Sequence, residues 1–192
     1  MTERTAGTRP ATLAPAAGHL APAVTLGLLA AWAVHDAEEL ATMNRFVRTR
    51  VPALRARHPR VPERAWRAVE SMGGREFPVA VAAVAVFIGA AAAEGHRTNG
   101  RSAFYQTALD GFGLHGLVHL AQAAATRGYT PGAVTTPLVV LPFTVWARGR
   151  LRRAGVLRPA SPRRAAAGLA VAGAAAFGSH ALARRVLRAS GR

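Results

Sequence analysis

The chain has 192 residues, of which 51% are hydrophobic, and its 25 basic residues outnumber its 9 acidic residues to give a formal net charge of +16. Every basic residue is arginine, and the arginines lie between long apolar runs, which is typical of a membrane protein rather than of a nucleic-acid-binding domain. Aromatic residues make up only 6% of the chain and offer few stacking surfaces for bases, and the absence of cysteine excludes disulfides and thiolate metal sites.

Long apolar stretches follow a polar N-terminal segment. We interpret residues 1–19 as a disordered tail, because the apolar run begins near Leu20 and continues past the length of a signal peptide. A helix needs about 20 residues to cross a hydrocarbon core of about 30 Å. Five stretches are candidate transmembrane helices by this measure: 20–42, 77–94, 103–126, 132–147 and 165–183. They predict an all-α, multi-pass membrane protein, a bundle of about five helices over residues 20–183, with a basic tail at 184–192. A soluble helical bundle is the alternative.

A basic segment separates the first two predicted spans. Residues 44–76 contain nine arginines, and the apolar spacing around Trp66 makes part of the segment amphipathic. Such a segment tends to lie in the headgroup layer of a bilayer, although a plain solvated loop is the alternative. Because cytoplasmic loops are enriched in basic residues, the segment favours a cell-membrane protein with its N-terminus outside and its C-terminus inside. The arginine-rich loop before the fifth stretch points the other way.

One histidine and three carboxylates occur near the end of the first apolar stretch, in the run LAAWAVHDAEEL. Each residue of a helix turns the direction by about 100°, so His35, Glu38 and Glu39 share an arc of about 100° on one face. Asp36 points about 100° away from His35, toward a different edge. The simpler interpretation is that the two glutamates mark the interfacial end of a helix and reach water by snorkelling.

Two histidines on the third predicted helix, His115 and His119, are four residues apart, a spacing by which one helix offers two imidazoles to one metal. Helices one and three run parallel in an alternating bundle, so we expect the two clusters to meet near one membrane surface. Core histidines bonded to nearby carbonyls are the alternative. His180 ends on the same side and is expected to be an interface residue, whereas Glu94 and His96 end on the opposite side.

Imidazoles and carboxylates without sulfur suit a divalent ion such as Zn, Fe or Mn. Two histidines and one carboxylate can form a facial triad for iron, or a three-ligand zinc site with an open position. Adjacent glutamates also permit a bridging carboxylate and two metal ions. A glutamic acid in apolar surroundings can instead act as a general acid without metal. We expect Asp110 to line the cavity, or to pair with Arg101 or Gln106.

Two blocks of sequence resemble a known family. The run from His35 to Glu39 fits an H-x-x-E-E signature in the first hydrophobic helix, and residues 112–142 place a Tyr-x-Pro-Gly-x-x-Thr turn after a histidine-bearing helix. On these blocks, residues 22–145 resemble the HXXEE-domain proteins, a family of small bacterial integral membrane proteins. The resemblance implies a metal-binding membrane protein and supplies no reaction. It implies a site drawn from both blocks: His35, Glu38 and Glu39 from the signature, and His115 and His119 from the second block.

The residues and the resemblance together predict a membrane-embedded enzyme that depends on a divalent metal ion, Zn or Fe with room for two ions. Its substrate is expected to be a hydrophobic or amphiphilic small molecule. The expected metal ligands are His35, Glu38, Glu39, His115 and His119. Glu38 or Glu39 is also expected to be catalytic, as acid or base, and hydrolysis, oxidation and isomerisation or cyclisation all stay open. The alternatives are a carrier or channel for a metal ion or protons, and a metal-free isomerase or cyclase. The expected partners are membrane lipids and the substrate, without nucleic acid.

Overall fold

The computed structural model describes residues 19–159 and 161–190, and within these ranges the chain forms helices and turns without a β-strand. The all-α class is therefore confirmed for this part of the chain. The predicted N-terminal tail lies outside the described residues except for its last residue, His19. The elements in chain order are α1 (Pro22–Thr25), α2 (Gly27–Thr49), α3 (Val51–Arg57), α4 (Glu63–Ser71), α5 (Glu76–Arg97), α6 (Ala103–Thr126), a π-helix (Thr136–Val140), α7 (Leu141–Arg153) and α8 (Pro162–Ser190).

Each of the five predicted stretches contains a helix, but several helix ends differ from those expected. Helix α6 has the predicted bounds, and α2 continues to Thr49 rather than ending near residue 42. No proline or glycine follows until Pro52, which occupies the first turn of α3, so the chain has no local signal to leave the helix earlier. In the fourth stretch, Pro137 lies inside the π-helix, the kind of local widening that often marks a functional site.

Among the described residues, one helix is long and apolar enough to cross a membrane, Glu76–Arg97. Its charged residues lie at its two ends, and its middle is a run of alanine, valine and other apolar residues. By contrast, α7 has 13 residues, a length of about 20 Å, and approaches a hydrocarbon core of about 30 Å only together with the adjoining five-residue π-helix. The multi-pass arrangement therefore stays a prediction.

Small residues on α6 let the π-helix and α7 approach it closely. A Cβ atom at Gly116 would lie 2.8 Å from Cγ1 of Val140, and one at Gly113 would lie 2.8 Å from Cγ2 of Thr144. Both contacts are closer than carbon atoms tolerate, so larger side chains would push the π-helix away. Residues 129–135 lead directly into the π-helix, so their position depends on this packing. The two glycines therefore help to place this loop against α2 and α6.

A hydrophobic core holds α1, α2, α5, α6 and α7 together. Val24 and Leu28 from the N-terminal helices, Leu109 from α6 and Leu151 from α7 are all fully buried in it. The buried Tyr105 hydroxyl donates a hydrogen bond to the Val24 carbonyl, which ties α6 to α1 and satisfies the phenol's polar end. This core fixes the relative positions of α2 and α6, the two helices that carry the predicted site residues.

Candidate metal centre

Four ionisable side chains from α2 and α6 converge on one point. His35 and Glu39 of α2 and His115 and His119 of α6 each offer one ligand atom, and these atoms lie within 4.8 Å of one another. Nε2 of His119 lies 2.8 Å from Nε2 of His115 and 3.2 Å from Oε1 of Glu39. His35, Glu39 and His119 are buried, with relative exposures of 0%, 7% and 6%. The structure thus brings together the two clusters that the sequence placed on separate helices.

The spacing of these atoms is close to that of a tetrahedral metal site. With Zn–N and Zn–O bonds of about 2.0–2.2 Å, tetrahedral geometry places neighbouring ligand atoms about 3.3–3.5 Å apart. The separations of 2.8 and 3.2 Å are slightly shorter than this spacing, and all four atoms lie within 4.8 Å of one another, so small side-chain movements, some outward and some inward, would bring them to it. Three imidazoles and one carboxylate are ligand types that Zn and Fe accept. The residues therefore fit a single divalent ion.

A hydrogen-bond relay fixes the orientation of His35. Nδ1 of His35 lies 2.8 Å from Oγ1 of Thr135, and the same hydroxyl donates to Oε2 of Glu38 at 2.6 Å. A hydroxyl has one proton, and the Glu38 carboxylate can only accept, so Nδ1–H of His35 must donate to the Thr135 oxygen. Nε2 then carries the lone pair, and it is buried without a hydrogen-bond partner among the described residues. This is the tautomer in which a histidine binds a metal, with its other nitrogen held by an outer partner.

Glu38 binds a loop instead of joining the four-residue group. Its carboxylate accepts hydrogen bonds from the backbone N–H of Thr135 at 2.7 Å and of Val134 at 3.2 Å, and from the Tyr129 hydroxyl at 2.7 Å. Partial burial and the hydrogen bond to Glu38 raise the pKa of Tyr129, which keeps this hydroxyl protonated and donating at neutral pH. Glu38 thus attaches the segment 129–135, which we call the capping loop, to α2.

Gly132 brings the backbone of the capping loop against two of the histidines. Its φ of +82° is one that side-chain-bearing residues rarely adopt. A Cβ atom there would lie 2.8 Å from Nδ1 of His119 and 2.8 Å from Cε1 of His35. Sequence reasoning gave no site role to Tyr129, Gly132 or Thr135. Their signal was present, however, in the Tyr-x-Pro-Gly-x-x-Thr turn that follows the histidine-bearing helix.

Glu39, His115 and His119 line a cavity of about 680 Å³, while His35 is fully buried and does not belong to the lining. Trp32, Asp36, Glu39 and Met43, spaced three or four residues apart, are the face of α2 that lines it. His115 also lines the cavity and is exposed, so its accessible surface faces this space. Asp36 lies in a different direction from His35, as expected, but that direction is the cavity itself. Most of the other lining residues are apolar, and they come from helices α2 to α6 and from α8.

The other ionisable residues considered from the sequence lie outside the four-residue group. Asp110 pairs with Arg148 of α7 rather than with Arg101 or Gln106. Gln106 instead donates to the carbonyls of Gly100 and Val156 and accepts from the N–H of Arg158. His180 bonds to Glu76 at 2.9 Å and lies at the cavity wall, and Glu94 pairs with Arg97 at the end of α5. The candidate centre is thus confined to α2 and α6.

Comparison with known proteins gives one match. A family model described as "Protein of unknown function with HXXEE motif" matches residues 26–147, which contain all four residues of the candidate centre and the whole capping loop. No curated protein and no solved structure matches the chain.

Proposed function

We propose that this chain, which belongs to the HXXEE family, is a multi-pass membrane enzyme that depends on a divalent metal ion and acts on a hydrophobic or amphiphilic small molecule. One observation carries the proposal: four side chains that could hold a metal converge beside a large and mostly apolar cavity, and three of them lie in its wall. Apolar pockets with a few convergent polar groups are the usual form of small-molecule sites. Because the polar groups here are three imidazoles and a carboxylate, the chemistry they support is metal chemistry.

Each residue of the centre has a defined part in this proposal. His35 and His119 are buried ligands whose orientation the capping loop maintains, and His115 faces the cavity. Glu39 completes the ligand set or, when a substrate displaces it, serves as the acid or base beside the substrate. A bound Zn or Fe ion would supply Lewis acidity, polarising a substrate oxygen or activating a water molecule. A second ion would need Glu38 as a bridge, and Glu38 is already bonded to the capping loop, which favours one ion.

The shape of the cavity favours an enzyme over a carrier or channel. A carrier needs polar groups along the path of its ion, because each step through an apolar region would leave the ion without ligands. Among the described lining residues, most of the polar ones come from α2 and α6, whereas α5 contributes only apolar side chains such as Val84, Phe87 and Ile88. This arrangement suits the binding of an apolar molecule next to the centre.

Exposed apolar side chains support the membrane part of the proposal. Val86 of α5, Leu138 of the π-helix and Val145 of α7 have relative exposures of 75%, 70% and 71%. Large apolar side chains this exposed on several helices are unfavourable in water and suit contact with lipid or with another protein. The five apolar stretches then cross the bilayer, with the basic segment 44–76 and the C-terminus on the cytoplasmic side, and lipids are the partners of the outer faces.

Metal analysis of the wild-type protein, purified in detergent without added metal, tests the proposal directly. The expected result is about one zinc or iron ion per chain. If the purified protein holds no metal and takes up neither zinc nor iron when titrated with them, the proposed function is wrong. A metal-free protein that still turns over an apolar substrate, and loses activity on Glu39→Gln, would support the acid-catalysed alternative.

A further inference from the structure

Asp36 is a buried carboxyl group without a partner among the described residues. Its relative exposure is 7%, and it lines the cavity on the same face of α2 as Trp32 and Glu39. No hydrogen bond or ion pair to its side chain occurs within residues 19–159 and 161–190. The metal centre does not use it, since the converging ligand atoms come from His35, Glu39, His115 and His119. Its oxygens are open to the cavity rather than fully enclosed, so a hydrogen bond to them comes from whatever occupies the cavity.

Carboxyl groups and imidazoles line the cavity, but no guanidinium does among the described residues. The chain carries 25 arginines, yet none of them lies among the described residues that line the cavity, whereas Asp36 and Glu39 both do. In the protein without its metal ion, an anionic head group such as a sulfate, phosphate or carboxylate would therefore meet two carboxyl groups and no guanidinium. A neutral or cationic group that donates a hydrogen bond meets a suitable acceptor instead.

The rest of the cavity suits a hydrocarbon chain. Val81, Val84, Phe87 and Ile88 of α5 form an apolar wall, together with Phe112 of α6. The volume of about 680 Å³ falls within the range of about 300–1,000 Å³ that small-molecule sites occupy. A ligand with one polar end can therefore place that end between Asp36 and the metal centre and its apolar body along α5.

From these observations we infer that the cavity binds an apolar molecule with a hydrogen-bond-donating head group, a hydroxyl or an amine, and that Asp36 accepts that hydrogen bond. The inference specifies the substrate class of the site described in the proposed function. It rests on the proposed function only for the metal ion next to the cavity. Asp36 and Glu39 line the same face of α2, so a hydroxyl or amine bonded to Asp36 would also lie next to Glu39 and the proposed metal ion.

The test uses quenching of tryptophan fluorescence by three probes with the same nitroxide-labelled alkyl chain and different head groups. The head groups are a primary alcohol, a primary amine and a sulfate, the last anionic at every working pH. Trp32 and Trp66 line the cavity, and the exposed Trp146 is replaced by phenylalanine in every protein so that it adds no signal. The full chain is studied in phosphatidylcholine nanodiscs. The head groups are compared after metal removal, because a bound zinc ion would itself attract the sulfate, and zinc uptake is measured separately.

The inference predicts saturable quenching by the alcohol and the amine, with affinities about tenfold higher than that of the sulfate, because one hydrogen bond to a buried carboxyl group contributes about that much. Asp36→Leu should abolish the preference, and Asp36→Asn should weaken binding of the amine more than that of the alcohol. Asp110→Asn is the matched control, since Asp110 pairs with Arg148 away from the cavity lining, and it should leave the preference unchanged.

Equal or tighter binding of the sulfate by the wild type would overturn the inference, and this comparison needs no variant to fold. A donor preference that survives in Asp36→Leu would also overturn it, because the acceptor would then be another group. The proposed function fails separately. If the protein takes up no metal but binds the hydrogen-bond donors selectively, only the metal centre is contradicted. If the protein takes up metal but shows no head-group preference, only the role of Asp36 is contradicted.

Discussion

His35 and Thr135 are 100 positions apart in the chain, yet Nδ1 of the histidine lies 2.8 Å from Oγ1 of the threonine. Because the threonine proton is donated to Glu38, this contact determines which nitrogen of His35 faces the centre. The two glutamates of the H-x-x-E-E run also have different roles. Glu39 lies with the ligating histidines, and Glu38 holds the capping loop that orients one of them.

Removing the Thr135 hydroxyl should weaken metal binding without removing a ligand. Thr135→Val keeps the shape of the side chain but leaves Nδ1 of His35 without an acceptor, so we expect zinc affinity to fall by about 10–100-fold, the usual effect of losing an outer partner. Thr135→Ser should retain most of the affinity. Competition with a chelator of known affinity measures the change. Thr49→Val, which removes an exposed hydroxyl bonded only to its own helix, is the control. Unchanged affinity in Thr135→Val would exclude the relay.

Glu38→Gln and Glu39→Gln should affect metal binding in different ways. Glutamine at position 38 weakens the acceptor that binds Thr135 and Val134, so we expect lower metal affinity but a full complement of metal at saturating zinc. Glutamine at position 39 removes a proposed ligand, so we expect a site that stays incompletely filled. Titration with zinc to saturation, followed by metal analysis, distinguishes the two. If both variants lose metal to the same extent, Glu38 is itself a ligand.

Substituting Gly132 should disturb the centre through the backbone. In Gly132→Ala the new methyl group meets His119 and His35 at 2.8 Å, and the residue must also hold a φ of +82°. Such strain costs about 1–3 kcal/mol, so we expect a lower midpoint of thermal unfolding together with weaker metal binding. Gly89→Ala in α5 is the control, because no atom lies within 4 Å of its Cβ position. A Gly132→Ala protein with wild-type stability and affinity would show that the loop does not press on the histidines.

The proposed orientation in the membrane predicts opposite labelling of two engineered cysteines in a chain that has none of its own. Ser71 and Arg101 are both exposed and lie near the two ends of α5, and neither caps a helix through its side chain. If the basic segment is cytoplasmic, Ser71→Cys should resist an impermeant thiol reagent in intact cells, whereas Arg101→Cys should react. The reverse pattern would invert the orientation, and labelling of both would contradict a membrane-spanning α5.

Local sequence patterns predicted the parts of the site that depend on a single helix. The four-residue spacing of His115 and His119 and the bounds of α6 follow from helical periodicity and need no distant contact. The face of α2 was harder to assign, because periodicity gives the angle between Asp36 and Glu39 but not the direction of the cavity. That direction depends on how α5 and α6 pack against α2.

The role of Glu38 could not be read from its own helix. Its partners, Tyr129 and Thr135, are 91 and 97 positions away, and their approach depends on the positive φ of Gly132 and on the glycines of α6. The end of α2 was misjudged for a different reason. The bound at residue 42 comes from the length needed to cross a bilayer, whereas α2 continues through Arg45 and Arg48, because polar residues alone do not terminate a helix.

The central claim is that side chains from α2 and α6 bind one metal ion, and metal analysis of a double-mutant cycle tests it most directly. Glu39→Gln and His119→Ala each remove a proposed ligand, with Asp110→Asn as the control. Loss of an outer partner already costs about 10–100-fold in affinity, so each single variant should lose at least as much. Because ligands of one ion act as a unit, the double variant should bind little less metal than either single variant. Unchanged metal content in both single variants, with effects on stability that simply add, would contradict the shared centre.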